Sequence, residues 1–211
     1  MHALLERAQT FRDRIVPHRE RFSRFAAGQR PSTLFVTCSD SRVVPTLITA
    51  AEPGELFELR NAGNIVPPYQ TETGSGEAAT VEYAVEVLGV GDIVVCGHSH
   101  CGAVGALVRA EDLTALPCVA NWVALAQPSL GPLLADATAA GTSPGSGAPA
   151  GAPPEDPALS AFVRRHVAAQ LETLRGYPSI AHRLAAGRLR LHGWFYRVDT
   201  GEVRELAPGD R

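Results

Sequence analysis

The sequence predicts an α/β fold in which a parallel sheet, covered on both faces by helices, follows an N-terminal helical arm. Three observations carry this. The runs 34–37 and 93–96 are almost wholly apolar, as strands buried on both faces must be. Stretches of helical periodicity separate these runs from each other and from later strand candidates. Residues 2–26 alternate Arg and Glu with apolar side chains at helix-like intervals.

Taken in order, Leu4, Leu5, Ala8, Phe11, Ile15, Phe22 and Phe25 predict two short amphipathic helices interrupted at Pro17, an arm over 1–27. The strand at 34–37 is entered through Pro31-Ser32. Pro45 sits where the first turn of a helix accepts proline, and 56–60 is the second strand. Apolar residues at 78, 81, 84, 85 and 88 make one helix face, and Gly89 ends it. The strand at 93–96 precedes helices over 103–109 and 119–127. Residues 135–158 hold five Pro and four Gly and no aromatic residue, a flexible surface loop inside one domain spanning 1–211. A helix over 158–175 follows, then a strand over 189–197, which Asp199-Thr200-Gly201 turns into a hairpin with 203–206.

The 211 residues suit one domain with an arm. The net charge of −3 hides an uneven distribution. Residues 1–30 carry seven Arg against three acids, 31–158 three against fourteen, and 159–211 nine against five. An acidic centre with modestly basic ends argues against nucleic acid, which selects basic charge on one surface. All nineteen cations are Arg, so Schiff-base and phosphate-loop lysine chemistry is excluded. No apolar run is long enough to span a membrane, and charges scattered through 2–30 argue against a secretory signal, which predicts a cytoplasmic protein. In a reducing compartment four cysteines point to metal or catalysis before disulfides.

Two segments set metal-ligand residue types at strand ends, where α/β proteins place their sites. They are Cys38-Ser39-Asp40-Ser41-Arg42 and Gly97-His98-Ser99-His100-Cys101-Gly102. Cys38, His98 and Cys101 form a soft, zinc-preferring set, with Asp40 as a possible fourth ligand. Three such ligands leave room for water, whose pKa zinc lowers to about 7. Asp40 and Arg42 share one face of an extended segment, so an ion pair between them would hold Asp40 off the metal with one oxygen left to take a proton. Cys96 and Cys118 are expected in the core, His100 as a bystander, and His2, His18, His166, His182 and His192 on the surface or in packing. Two rival motifs are weaker. The run 97–101 has Cys101 where a hydrolase nucleophile elbow needs glycine. Gly74-Ser75-Gly76-Glu77-Ala78-Ala79 resembles a dinucleotide fingerprint but follows no strand.

The chain resembles the β-class carbonic anhydrases. The carriers are Cys38-Ser39-Asp40-Ser41-Arg42-Val43, Arg60-Asn61-Ala62-Gly63-Asn64 with Val66-Pro67-Pro68, Glu82-Tyr83-Ala84, Gly97-His98-Ser99-His100-Cys101-Gly102, and Leu191-His192-Gly193-Trp194-Phe195-Tyr196. The resemblance implies a zinc enzyme hydrating carbon dioxide to bicarbonate, with Cys38, His98 and Cys101 as ligands and Asp40 either paired with Arg42 or bound to the metal. It implies a substrate site of Gln29, Phe57, Ala62, Tyr83 and Gly102, Gln29 acting across a dimer interface. It also implies a sheet of four to five strands, and an arm that wraps a second subunit in a homodimer or homotetramer. Arg60 and Tyr196 match two positions of a regulatory bicarbonate pocket found in one branch, but Phe35 replaces its Trp. Two other classes fit the same residues: a zinc hydrolase acting on a small molecule such as carbon disulfide, and a non-catalytic zinc or thiol-redox protein.

Overall fold

Branched and aromatic side chains crowd 33–38 and 92–98, and both segments are strands with nearly every residue buried. The computed structural model describes residues 2–72, 74–127, 131 and 156–207, and they form two compact units, Met1–Arg30 and Pro31–Arg211.

The first unit is helical but more broken than its sequence predicts. It consists of α1 (His2–Gln9), α2 (Phe11–Arg14), a 3₁₀ turn at Val16–His18, α3 (Arg19–Arg24) and a second 3₁₀ turn at Phe25–Ala27. Pro17 has no N–H to give an α-helix, and the tighter turn forms around it. Phe22 stands edge-on to Phe11 and Phe25, with centroids 5.8 and 5.2 Å apart. None of these elements contains a buried residue, and Leu4, Leu5, Phe11, Val16 and Phe25 lie exposed.

The second unit is built on five strands: β1 (Thr33–Cys38), β2 (Leu56–Asn61), β3 (Asp92–His98), β4 (Arg190–Tyr196) and β5 (Val203–Glu205). They lie in the order β2-β1-β3-β4-β5, the first four parallel and β5 antiparallel to β4. The expected hairpin is present, with Gly201 in the left-handed region at its turn. Thr37 pairs with Cys96 and Cys38 with Asn61, so β1, β2 and β3 reach their C-terminal ends nearly level.

The helices of this unit include α4 (Pro45–Thr49), α5 (Gly76–Glu82), α6 (Gly102–Val108), α7 (Pro117–Ala124), α8 (Pro157–Arg175) and α9 (Pro178–Ala185). The face predicted from residue 78 onward is buried at Ala78, Val81, Ala84 and Val85, but the α-helix loosens into a π-type stretch at Tyr83–Leu88 before Gly89. Asp156 caps α8, its Oδ1 accepting from Ala158 and Leu159 N–H, so residues 156–158 of the expected loop belong to this helix start. Residues 135–155 of that loop lie outside the described residues. Helix α9 is not expected from the sequence, because it is short and buries only Ile180 of its eight residues. Cys96 is buried against Phe35 as expected. Cys118 is exposed, because it lies in the first turn of α7, where only Val123 is buried. Among the described residues no helix is long and apolar enough to cross a membrane.

Helix α8 lies on β3 and β4, and two glycines admit it. A Cβ on Gly97 would stand 2.6 Å from Val163 Cγ1 and 2.7 Å from Val167 Cγ2, and one on Gly193 would stand 3.1 Å from Leu171 Cδ1. Gly97→Ala should therefore cost about 1–3 kcal/mol by overpacking. Urea denaturation checks this, with Val163→Ala in the same chain expected to recover part of the loss.

One buried group on α8 carries a pH signature. His166 is fully buried, and burial pushes its imidazole down to about 4 from an ordinary 6.5. The unfolded chain takes this proton more readily, so stability is fully present above about pH 6.5 and is lost as the pH falls toward 4. Between pH 7 and 4 the wild type should lose roughly 3 kcal/mol more than His166→Gln. Parallel pH profiles of unfolding free energy for the two proteins would contradict this assignment.

Candidate metal centre

Parallel strands deliver their C-terminal ends to one side of a sheet, and here β1 and β3 deliver two thiols and an imidazole. Cys38 is the last residue of β1, His98 the last of β3, and Cys101 precedes the first turn of α6. Their ligand atoms lie within 4.8 Å of one another, and all three residues are buried. His100 reverses the chain between His98 and Cys101 in the left-handed conformation, and its ring is not part of this group.

Each donor is prepared by its neighbours. His98 Nδ1 lies 2.8 Å from the carbonyl of Ser99, which can only accept, so Nδ1 carries the proton and Nε2 presents a lone pair. That Nε2 is buried with no hydrogen-bond partner, an arrangement costly for a folded protein unless an ion meets it. The thiols form a coupled pair. Contact with the Cys101 thiol draws Cys38 far below the ordinary thiol range, against burial and with smaller help from His98 and the Gly63 N–H. The same contact, together with burial, pushes Cys101 up. One thiolate forms readily and the second only against its charge, unless a cation lies between them. Two sulfurs and one imidazole nitrogen suit a soft or borderline divalent ion such as zinc.

Beside this group stands the pair predicted from sequence. Arg42 Nε donates to Asp40 Oδ1 at 2.9 Å and Nη2 to Oδ2 at 2.7 Å, while the Arg42 backbone N–H donates to Oδ1 at 2.9 Å. Arg42 in this fork holds the carboxyl down at about 2. The same guanidinium also reaches the His100 carbonyl at 3.3 Å, tying the pair to the loop between His98 and Cys101. Asp40 Oδ2 lies 4.0 Å from His98 Nε2. A carboxylate has about four acceptor sites, and Arg42 fills three of them. The remaining one is on Oδ2, the oxygen that lies toward His98 Nε2.

Four further side chains take positions on this sheet that were not legible in the sequence, three of them as donors to nearby backbone. Arg60 of β2 spends its guanidinium on backbone, donating to the carbonyls of Cys38, Asp40 and Val43. Phe35, at the position where a regulatory pocket needs Trp, packs edge-on to Trp194 at 5.8 Å. Trp122 Nε1 donates to the Ala62 carbonyl at 2.8 Å, and His166 Nε2 lies 2.8 Å from the Gly63 carbonyl. An indole in an amphipathic helix and a histidine in a long helix give no sequence signal of a backbone partner 60 or 103 residues away. Of the residues expected to meet substrate, Phe57 and Tyr83 come together with ring centroids 6.0 Å apart. Ala62 directly precedes the Gly63 N–H that reaches Cys38 Sγ, and Gly102 directly follows Cys101. Gln29 is exposed in the N-terminal unit.

Residues 33–203 match the carbonic anhydrase family. The chain is 48% identical to a carbonic anhydrase of Pseudomonas aeruginosa over 200 residues, covering 95% of this chain and 84% of that one. It is 40% identical to a carbonic anhydrase of Synechococcus elongatus over 209 residues, 98% of this chain and 72% of that one. Among solved structures it is similar to the β-carbonic anhydrase CcaA, with TM-score 0.85, 38% identity and 99% of each chain covered. A tetrameric β-carbonic anhydrase of Sordaria macrospora matches with TM-score 0.77 and 27% identity over 98% of this chain and 95% of that one. With nearly the whole chain aligned and a Cys-His-Cys group at its strand ends, the protein belongs to the β-class carbonic anhydrases and is an enzyme of the lyase type.

Proposed function

We propose that this carbonic anhydrase is zinc-dependent, that Cys38, His98 and Cys101 hold the ion, and that Asp40 and Arg42 complete the catalytic machinery for converting carbon dioxide and water to bicarbonate and a proton. The observation that carries the reading is the buried, partnerless His98 Nε2 facing two coupled thiols beside an arginine-held carboxylate. When bound, zinc supplies a Lewis acid that lets water give up a proton near neutral pH. Asp40, ionised throughout that range, offers its remaining Oδ2 site as acceptor for the reacting water and thereby orients it. In this arrangement its carboxylate serves as acceptor and not as a fourth ligand, because the fork to Arg42 would have to break for it to reach the metal. Arg42 is charged at every working pH, so the orientation of Asp40 does not titrate away.

Carbon dioxide is small and uncharged, and the proposed approach to the site is correspondingly apolar. Phe57, Ala62 and Tyr83 form its wall and Gly102 leaves space beside Cys101, with Gln29 of the partner subunit as the polar contact. Assembly as a homodimer or homotetramer is supported by the exposed Leu4, Leu5, Phe11 and Phe25 of the N-terminal unit, and the Sordaria relatives are described as tetrameric. Nucleic acid and membrane have no place in this reading. Cytoplasmic residence follows from the need to keep Cys38 and Cys101 reduced.

Stopped-flow hydration with a pH indicator tests the assignment. Wild type no faster than buffer at pH 8.5 with zinc present would end it. Cys101→Ser should lose zinc, measured by elemental analysis. Asp40→Asn should keep zinc and lose turnover by at least about tenfold, since the amide offers a donor where an acceptor is needed. In sedimentation velocity the full chain should run as a dimer or larger, and removal of residues 2–27 should reduce its mass. An unchanged sedimentation coefficient per subunit mass would show that the arm takes no part in assembly.

A further inference from the structure

We propose that His166 is a positioning residue for the metal centre, holding Gly63 so that the Gly63 N–H stays on Cys38 Sγ. The inference rests on the reading of Cys38, His98 and Cys101 as zinc ligands.

Val66 N–H donates to Gln170 Oε1 at 2.7 Å. That bond fixes the orientation of the Gln170 amide and turns its NH₂ toward His166 Nδ1, 3.4 Å away. Nδ1 therefore accepts, so the ring proton sits on Nε2. Nε2–H then donates to the Gly63 carbonyl at 2.8 Å, and the Gly63 N–H donates to Cys38 Sγ at 3.3 Å. Gln170 and His166 are four residues apart on α8, hence on one helix face, and both are buried to 1% exposure or less.

The segment they hold has no ladder of its own. Gly63 adopts φ +81°, and a Cβ there would meet Ala103 Cβ at 3.1 Å, so the position belongs to glycine. Glycine is also the residue with most freedom to drift. Asn61 bridges to Ile65 through both side-chain atoms, and Trp122 takes the Ala62 carbonyl, but neither bond acts on Gly63 itself. His166 is the one described side chain that donates to Gly63. A leucine would fill the same volume without burying two ring nitrogens, and the imidazole is satisfied here only because its bonds lead to Val66 and Gly63. Hydrogen bonds onto a ligating sulfur orient it, and loss of such outer partners typically costs about 10–100-fold in metal affinity.

The experiment compares zinc-loaded wild type with His166→Leu, which has no donor, His166→Gln, whose Nε2 keeps a donor near the ring Nε2, and His166→Asn, whose amide is too short. Zinc affinity is read by competition with a chromophoric chelator. The sulfur-to-metal charge-transfer band is read after exchange for cobalt(II). The expected result is zinc binding weakened about 10–100-fold and a shifted band in His166→Leu and His166→Asn, with His166→Gln within about threefold of wild type. Equal affinity and an unchanged band in His166→Leu would overturn the proposal even if that variant melts earlier, since the ring would then only pack. If His166→Leu does not fold, equal affinities of His166→Asn and His166→Gln overturn it in the same way. A wild type that binds no zinc overturns the zinc reading and this inference together, whereas tight wild-type binding with insensitive variants overturns this inference alone.

Discussion

Two thiols and an imidazole enclosed within reach of one another are the constraint on which much of the second unit bears, since both sulfurs could be thiolates at once only beside a cation. Cys38 and Cys101 resist losing both protons while no positive charge stands between them, and His98 Nε2 has no protein partner. Burial makes each of these costs larger, because neither charge nor lone pair can turn to water. Burial would equally strengthen the attraction of a cation placed among them, because the field there is little screened. The parallel sheet brings the donors to one place: β1 and β3 run side by side in the same direction and end nearly level, so residues 60 apart in the chain emerge together.

Holding the donors in place takes more chain than supplying them. Arg60 collects the carbonyls of Cys38, Asp40 and Val43, while Arg42 locks Asp40 and reaches back to the His100 carbonyl. The turn after β2 is pinned by Trp122 from α7 and by His166 and Gln170 from α8. These bonds end on backbone atoms of the loops at the strand ends, which have no ladder to hold them. Beneath them α8 lies close on β3 and β4 because Gly97 and Gly193 present no side chain. Gly97 thus serves packing, although it stands directly beside His98.

Much of the site was legible because chemistry-bearing residues sat in two short, well-spaced runs. Cys38, Asp40, Arg42, His98 and Cys101 were all named from those runs, and the Asp40–Arg42 pair forms with both guanidinium arms engaged. What was not legible depends on neighbours distant in sequence. His166 reads as any helical histidine until the turn at Gly63 is seen against it. Cys118 was expected in the core, but only the side of α7 bearing Val123 faces inward. The arm breaks at Pro17 into more pieces than its periodicity suggested, since no described residue of that unit is buried to enforce a longer helix.

The sequence by itself determined the donor set, the partner of Asp40, and the alternation of apolar strands with helices that makes a parallel sheet. These are local properties: residue type, spacing within a turn, and periodicity act over a few residues and need no knowledge of the rest of the chain. Only the tertiary structure decided the strand order β2-β1-β3-β4-β5, the meeting of Cys38 with His98, and the use of Arg60, Trp122, His166 and Gln170 as fasteners of backbone. Those outcomes depend on which carbonyl or thiol a side chain finds after the sheet has closed, and a hydrogen bond spanning a hundred residues leaves no periodic trace in either of the segments it joins.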